Sequence, residues 1–322
     1  MARRVKSTAE VAGRQEGHGT HLHPYRLAAH DGVDERVNGS KCRAHVAHGD
    51  WLVHTGAYAE DFIYIENQYL TDLAIVQAIE RAMALKPLLQ VIMLLNPKVD
   101  LPLYGRAWYF PFIKWQDAAI ARIVKVDPAR VGVYSLWGHE LPATGSRMIR
   151  NYVHSKVGIV DDKWATVGSA NLDGFSLSSS PYIPLLVAGR EQMRAVEANA
   201  VFFNGVGDQP ASDLPDSIRR TLWAEHLGYA KADHSDLTTR PAGGWLGLWE
   251  KIAARRLAAL TATPATVDAA RILRGPFYVP DTGKRWGLSA EEGFLSRCGV
   301  DPKKHKVETE VRSFNFRTGN WH

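Results

Sequence analysis

The segment from residue 154 to residue 171 reads HSKVGIVDDKWATVGSAN and holds six chemically distinctive residues at a fixed spacing. The spacing is H-x-K-x4-D-x6-G-S-x-N, and its fixed positions are His154, Lys156, Asp161, Gly168, Ser169 and Asn171. At ordinary residue usage, six fixed positions match by chance about once in tens of millions of start positions. The pattern therefore indicates a functional motif.

The motif is predicted to form a β-hairpin. Residues 152–160 alternate between apolar and polar side chains, as a half-buried strand does. Side chains two positions apart on a strand point the same way, so His154 and Lys156 are expected to share a face. A polar turn and a returning strand at 164–167 follow. The hairpin would bring together an imidazole, an ammonium, a hydroxyl and a carboxamide, which belong to His154, Lys156, Ser169 and Asn171.

These groups suit the cleavage of a phosphodiester. The His154 imidazole can attack phosphorus or protonate a leaving alkoxide, and a covalent intermediate divides one difficult step into two easier ones. The side chains of Lys156, Ser169 and Asn171 can donate hydrogen bonds to the non-bridging phosphate oxygens. We count Asp161 with the catalytic set, although its place at the strand end favours a role in holding the turn. The chemistry requires no metal or other cofactor, and no cluster of metal-ligating residues lies near the motif.

This motif is that of the phospholipase D superfamily, and the chain resembles that family. Residues 62–70 (FIYIENQYL) look like the strand that opens the second half of two-motif phospholipase D enzymes, and residues 222–228 (LWAEHLG) also resemble a family segment. The resemblance implies a phospholipid substrate and a phosphohistidine intermediate. Water would resolve that intermediate by hydrolysis, whereas an alcohol would give headgroup exchange or cardiolipin-type synthesis.

Two further groups of polar residues acquire expected roles from this resemblance. Residues 196–203 resemble the family segment in which a carboxylate hydrogen-bonds the catalytic histidine, and Glu197 is the matching residue. It would fix the tautomer of His154 and stabilise its imidazolium, and a surface glutamate on a strand is the alternative. Residues 66–68 fall where a strand meets a loop, so they either line the active cleft or cap the next helix.

The motif occurs once in this chain, whereas family enzymes place two around one cleft, with one histidine attacking phosphorus and the other protonating the leaving oxygen. By its position after 62–70 and before Glu197, this motif matches the second, which implies that His154 is the general acid and that the nucleophile is absent. Residues 1–153 contain no other H-x-K. Three interpretations follow: a C-terminal half without its N-terminal half, a symmetric homodimer like the single-motif nucleases of the superfamily, or an inactive remnant. The irregular sequence upstream of residue 62 favours the first.

Composition limits the class of protein. The chain has 322 residues, a net charge of +5 and a pI of about 9.1. This mild basicity suits an anionic headgroup or a nucleic acid, and ordinary surface variation explains it equally well. Two cysteines, Cys42 and Cys298, imply no disulfide framework. No apolar run has the length of a membrane span, and the N-terminus lacks a signal-peptide pattern. A cytoplasmic location is expected, and peripheral membrane contact is compatible with it.

The pattern outside the motif predicts a layered α/β fold. Strands and helices alternate, with strands at 62–66, 91–95 and 131–136 and helices at 71–86 and 117–124. This order predicts α/β/α layers around a central, mainly parallel mixed sheet. An aromatic cluster at 108–115 is expected in a long connection, where core packing is favoured over an acyl pocket or a membrane interface.

Three regions are predicted. Residues 1–55 form an irregular segment, interpreted as the remnant of a missing first half, 56–230 form the phospholipase D-like catalytic domain, and 231–322 form a C-terminal extension of unknown role. The leading function is a phosphodiesterase or phosphatidyltransferase that acts on phospholipid phosphodiester bonds. The alternatives are a single-motif homodimeric nuclease, with nucleic acid as the less favoured substrate, and a non-catalytic truncated half-enzyme.

Overall fold

The motif lies within a mixed β-sheet. The computed structural model of this chain describes residues 25–29, 51, 55, 58–97, 105–173, 197–204, 213–229, 235–275, 290–309, 314–315 and 320–321. In these residues ten strands form one sheet: β1 (Tyr25–Ala29), β2 (Phe62–Asn67), β3 (Gln90–Leu95), β4 (Val131–Glu140), β5 (Ser146–Asn151), β6 (Val157–Val160), β7 (Trp164–Gly168), β8 (Ala198–Phe203), β9 (Ile272–Arg274) and β10 (His305–Thr309). A separate pair joins β11 (Phe314–Asn315) to β12 (Asn320–Trp321). Most of the predicted segment 1–55 lies outside the described residues.

The strand order is β1-β8-β7-β6-β2-β3-β4-β5-β10, and β9 pairs with β4 beside this path. Parallel pairing joins β2 to β3, β3 to β4 and β5 to β10. The other pairs described in this sheet are antiparallel. The predicted layered α/β fold with a mixed sheet is confirmed, but parallel pairing does not dominate it. Short turns join β4 to β5 and β6 to β7, and a short turn can connect only antiparallel neighbours.

Helices cover both faces of the sheet. The described helices are α1 (Leu73–Leu85), α2 (Gly105–Val126), α3 (Leu214–Leu227), α4 (Gly244–Thr261) and α5 (Ala290–Arg297). Strand β2 shows the two-sided burial, because Ile63 and Ile65 pack in the cluster of α1 and α2 while Phe62 and Tyr64 pack in that of α3 and α4. Each fully buried large apolar side chain stabilises the fold by roughly 1.5–3 kcal/mol. This explains why β2 is apolar on both sides.

Helix α1 follows residues 66–68, of which the first two end β2 and the third begins the loop behind it. Asp72 caps the helix, and the Asp72 carboxylate accepts hydrogen bonds from the backbone N–H groups of Ala74 and Ile75, both at 3.0 Å. The backbone N–H of Asp72 donates to the carbonyl of Leu172 at 3.1 Å. The cap therefore ties the start of the helix to the end of the motif, and it leaves residues 66–68 available for other contacts.

The aromatic cluster 108–115 lies inside helix α2, so the expectation of a long connection there is wrong. Helix α2 runs on to Ala119, Ile120 and Ile123, which are buried against the sheet. Aromatic residues pay only a modest penalty in a helix, and the buried face further along supplies the packing that holds it.

The predicted C-terminal extension contributes to the same layered unit. Strand β9 pairs with β4, and β10 pairs with β5. Helix α4 packs on α3 through aromatic rings, with ring centroids of Trp223 and Trp245 5.4 Å apart and those of Trp223 and Trp249 5.5 Å apart. None of the helices in the described ranges is both long enough and apolar enough to cross a membrane.

Candidate active site

His154 and Lys156 were expected within a strand, but they lie in the connection between strands β5 and β6. The Asn96 side chain explains this difference. Its amide nitrogen donates to the Val153 carbonyl at 2.7 Å, and its carbonyl oxygen accepts from the Val153 N–H at 2.9 Å. The Val153 backbone groups bond to a side chain and leave the β ladder. The H-x-K segment is therefore a connection held at its base by a buried asparagine.

Lys156 is a buried cation fixed by two acceptors. The residue is 8% exposed, and its ammonium nitrogen donates to Oε1 of Gln68 at 3.1 Å and to the carbonyl of His154 at 2.5 Å. Burial lowers the pKa of Lys156 to about 8, against the opposing effect of the Glu197 and Asp173 carboxylates. Burying a cation is costly unless it has a partner, so this position favours the arrival of an anion.

His154 is exposed beside this cation. Its ring stacks on Tyr152 with a centroid distance of 6.1 Å and an angle of 21° between the planes. The Arg150 guanidinium lies 5.5 Å from the centroid of the Tyr152 ring. Partial desolvation of the imidazole and then the charge of Lys156 lower the pKa of His154. A lowered pKa keeps the imidazole neutral near pH 7, and a neutral imidazole can act as a nucleophile or base.

Gln68 organises the site from the end of β2, and it was not among the predicted site residues. Its amide nitrogen donates to the hydroxyl groups of Tyr69 at 2.7 Å and Tyr152 at 2.5 Å, while its carbonyl oxygen accepts from Lys156. Residues 66–68 were expected either to line the cleft or to cap the next helix. The helix is capped by Asp72, whereas Gln68 contacts the motif lysine. The sequence signal was the polar run at a strand end.

Gly168 and Ser169 follow β7 and meet the start of β8. A Cβ atom on Gly168 would lie 1.7 Å from Oδ1 of Asn199 and 2.5 Å from the carbonyl oxygen of Ala198, so only glycine fits there. The exposed Ser169 accepts a hydrogen bond at its hydroxyl oxygen from the N–H of Ala198 at 2.9 Å. This close approach fixes the G-S-x-N loop on the neighbouring strand.

Asn171 carries an oxygen that lacks a partner. Its Oδ1 atom is buried and makes no hydrogen bond within the part of the chain that the structure describes. Buried polar atoms are rarely left unsatisfied, and such atoms often mark sites that a ligand or water completes. The backbone N–H of Leu172 is held by Oδ1 of Asn67 at 3.2 Å, which anchors the next residue to the end of β2.

Two carboxylates lie near Lys156. Glu197 directly precedes β8, and Asp173 is a buried residue two positions after Asn171. Both raise the pKa of Lys156 through their charge, so both are close enough to act on it electrostatically. Asp173 was not among the predicted site residues, because no spacing rule singles it out in the sequence. The orientation of His154 by Glu197 stays a prediction.

Asp161 is not brought together with the other motif residues. It lies at the opposite end of β6, which at a rise of about 3.3 Å per residue puts it more than ~10 Å along the chain from Lys156. Its carboxylate accepts hydrogen bonds from the backbone N–H groups of Glu60, Asp61 and Phe62 at 2.7, 2.9 and 2.7 Å. Its φ is 53°, in the left-handed region that aspartate tolerates in turns. Asp161 therefore holds the turn against the start of β2.

Within the described ranges, no group of three or more His, Cys, Asp or Glu side chains is arranged to hold a metal ion. The groups that face one another around His154 are an imidazole, an ammonium, an amide and hydroxyls. These are donors suited to phosphate oxygens.

The chain is similar to several known proteins. The family described as "Cardiolipin synthase, PLD-like domain" matches residues 53–200. Phospholipase D B of Dictyostelium discoideum is 27% identical over 220 residues, which cover 61% of this chain and 18% of that protein. Cardiolipin synthase B of Escherichia coli (strain K12) is 28% identical over 137 residues, which cover 37% of this chain and 32% of that protein. The chain thus spans about a fifth to a third of the length of these relatives.

Solved structures also align with parts of the chain. Nuc from Salmonella typhimurium, a phospholipase D family member, aligns with a TM-score of 0.35 and 14% identity over 61% of this chain and 90% of that one. The phosphatidylserine synthase of Haemophilus influenzae Rd KW20 aligns with a TM-score of 0.35 and 15% identity over 72% of this chain and 45% of that one.

The matched family and the sequence relatives carry phospholipase D and cardiolipin synthase names. These matches, which centre on residues 53–200, place that part of the chain in the phospholipase D superfamily.

Proposed function

We propose that this protein cleaves or transfers phospholipid phosphodiesters through the His154 imidazole. The observation that carries the proposal is the pairing of an exposed histidine with a buried lysine, whose ammonium is held by Gln68 at 3.1 Å. A phosphodiester anion would compensate the desolvated charge of Lys156 and place its phosphorus beside the imidazole. The sequence relatives with phospholipase D and cardiolipin synthase names support a lipid substrate.

The proposed reaction uses two imidazoles. One attacks phosphorus and forms a P–N bond, while the bond from phosphorus to the leaving alcohol oxygen breaks and that oxygen takes a proton from the second, protonated imidazole. The second imidazole, now neutral, accepts a proton from water or an alcohol. The oxygen of that molecule attacks phosphorus and breaks the P–N bond. Water yields hydrolysis and an alcohol yields transfer.

The lowered pKa of His154 bears on which role it takes. In the free chain it favours the neutral imidazole, which is the form that attacks phosphorus. The negative charge of a bound phosphodiester would raise the pKa again and favour the protonated form that the family position implies for a general acid. We propose that the chain supplies one imidazole, and that a second copy or another chain supplies the other.

Turnover of phosphatidylcholine tests the function. Purified protein is incubated in metal-free buffer that contains ethanol, and phosphatidic acid and phosphatidylethanol are measured while light scattering gives the mass in the same sample. Phosphatidylethanol that disappears in His154→Ala and persists in Lys163→Ala supports the proposal. Retained turnover in His154→Ala contradicts it. Lys163 is the matched control, because it is an exposed lysine of the same hairpin at the end remote from Lys156.

Mixing experiments test whether two copies share one site. Wild-type protein is exchanged with increasing amounts of His154→Ala protein at constant total concentration. If each site needs two copies of His154, activity falls as the square of the wild-type fraction. If each chain works alone, activity falls linearly. If activity appears only when a separate chain with its own H-x-K motif is added, the second half is that chain.

The same chemistry on nucleic acid is the second candidate, and the net charge of +5 is the observation that favours it. Cleavage of plasmid DNA without lipid turnover, combined with binding that weakens steeply as salt increases, would assign the site to nucleic acid.

A further inference from the structure

We propose that Glu66 and His226 are positioning residues, which hold the H-x-K segment through the hydroxyl of Ser155. This inference rests on the proposed function of His154. It concerns three side chains on three elements: Glu66 on β2, Ser155 between the motif histidine and lysine, and His226 near the end of α3. Glu66 and His226 both lie in segments that resemble the family: residues 66–68 were expected to line the cleft or to cap the next helix, and His226 had no assigned role.

The network centres on a buried carboxylate. Glu66 is 4% exposed and His226 is 5% exposed. Oε2 of Glu66 accepts a hydrogen bond from the hydroxyl of Tyr64 at 2.7 Å and lies 3.0 Å from Nε2 of His226. Oε1 accepts a hydrogen bond from the hydroxyl of Ser155. Both oxygens of this carboxylate are therefore engaged, and one of them holds the motif itself.

The charge state of Glu66 agrees with this geometry. Burial alone would raise the pKa of Glu66, but hydrogen bonds from His226, Ser155 and Tyr64, together with the charge of His226, lower it overall. Burying a charged carboxylate destabilises the fold unless donors surround it, and the donors here form hydrogen bonds to it. The Ser155 hydroxyl is thus held by a charged acceptor, which makes a stronger tie than a neutral one.

Ser155 is the residue through which this tie reaches the active site. The neighbours on either side are His154, which is exposed, and Lys156, which is buried against Gln68. Two other ties hold the segment, namely Asn96 on Val153 and the backbone bond from Gly168 N–H to the Lys156 carbonyl at 3.1 Å. Ser155 supplies the tie between them, at the point where the backbone must set the angle of the imidazole.

Helix α3 contacts the motif hairpin near its own beginning and the neighbouring strand β2 near its own end, which provides an internal control. Near its beginning, the Nε of Arg219 donates to Oδ1 of Asp162 at 2.7 Å in the turn between β6 and β7. Near its end, His226 holds Glu66. Both contacts run from one helix to a carboxylate of the motif region, yet only the second leads to the H-x-K segment. A purely structural role predicts similar consequences for the two, whereas positioning predicts different ones.

The test compares kcat and KM for phosphatidylcholine in variants that keep or remove each donor. Ser155→Ala and His226→Leu remove donors, whereas Ser155→Thr and His226→Gln retain them. Because a displacement of about 1 Å can cost about 100-fold in rate, we expect kcat to fall 10-fold to 100-fold in the first two variants, with KM changed less than about 2-fold. The donor-retaining variants should recover kcat to within about 5-fold of the wild type. Asp162→Asn should lower the melting temperature without changing kcat.

A second readout does not depend on turnover. NMR titration of the His154 imidazole should give a higher pKa in Ser155→Ala than in the wild type, because a released segment moves the ring away from the Lys156 charge. An unchanged titration in a folded Ser155→Ala protein overturns the inference, as does an equal loss of kcat in Asp162→Asn. If wild-type protein turns over no lipid, the proposed function fails and the titration alone decides on positioning.

Discussion

The two ends of the motif hairpin both carry charged and polar side chains, but they differ in how far those side chains are satisfied. At the turn, the Asp161 carboxylate is saturated by three backbone N–H groups and Asp162 is paired with Arg219. At the other end, Lys156 is buried with its pKa lowered, and the Asn171 side-chain oxygen has no partner in the described residues. The turn end is held by satisfied contacts and stabilises the fold, while the other end contains a desolvated cation whose charge a phosphate can compensate.

The largest effect is expected for His154→Ala. Loss of the imidazole removes the group that forms or breaks bonds at phosphorus, so phosphatidylethanol formation should fall at least about 1,000-fold. Because His154 is exposed, the free energy of unfolding should change by less than about 0.5 kcal/mol. Product analysis and urea denaturation on the same preparation check both parts. If unfolding of His154→Ala accounted for its whole loss of product, the two ends of the motif hairpin would not differ in role.

Lys156→Met should abolish turnover without destabilising the protein at pH 7. The folded pKa of Lys156 is about 8, below the ordinary 10.5, so the unfolded chain binds more protons between these values and wild-type stability rises with pH across that window. Wild-type turnover should fall as the pH rises through about 8 and the ammonium loses its proton. Melting temperatures of both proteins from pH 7 to pH 11 check the sign. A wild-type protein that loses stability between pH 8 and pH 10, relative to Lys156→Met, would contradict the burial of a charged lysine.

Asp161→Ala is the reverse case. The substitution leaves three backbone N–H groups without their acceptor. It also places alanine, which rarely adopts a positive φ, at φ 53°. The free energy of unfolding should therefore fall by about 2–3 kcal/mol. Turnover per folded molecule should stay within about 3-fold of the wild type. Asp161→Asn, which keeps one acceptor oxygen and tolerates this φ, should be less destabilising. A fully folded Asp161→Asn protein without activity would return this residue to the catalytic set.

Gly168→Ala should produce a smaller, mixed effect. The added Cβ would meet Oδ1 of Asn199, which must move and release the N–H of Ala170 that it accepts at 3.3 Å. We expect a loss of about 1–3 kcal/mol in stability together with a partial loss of turnover, since the G-S-x-N loop shifts. The double variant Gly168→Ala/Asn199→Ala should recover part of the stability, and additive losses in this pair would show that the two residues do not collide.

The fold class could be predicted from the sequence because it depends on local patterns. Apolar strand runs that alternate with segments of helical periodicity predict an α/β/α arrangement, and the spacing of the motif predicts His154 and Lys156 as site residues. The direction of most strand pairs was missed, since it depends on which distant strands meet. The loop at 152–156 was read as a strand because its backbone partner, Asn96, lies more than fifty residues away.

Gln68 and Asp173 show the same limit within the site. Gln68 reaches Lys156 only because β2 and β6 are neighbours in the sheet, and Asp173 acts on Lys156 only through the folded loop after β7. A polar run at a strand end pointed towards the first. Nothing in the spacing of the chain pointed towards the second, whose charge acts on Lys156 only in the folded structure.

The two ends of the hairpin are separated by one measurement: phosphatidylethanol formed from phosphatidylcholine per folded molecule, in wild type, His154→Ala and Asp161→Asn side by side. We expect no product with unchanged stability from His154→Ala, and product near the wild-type level with reduced stability from Asp161→Asn. Product from His154→Ala, or an inactive but fully stable Asp161→Asn, would show that the proposed division between the two ends is wrong.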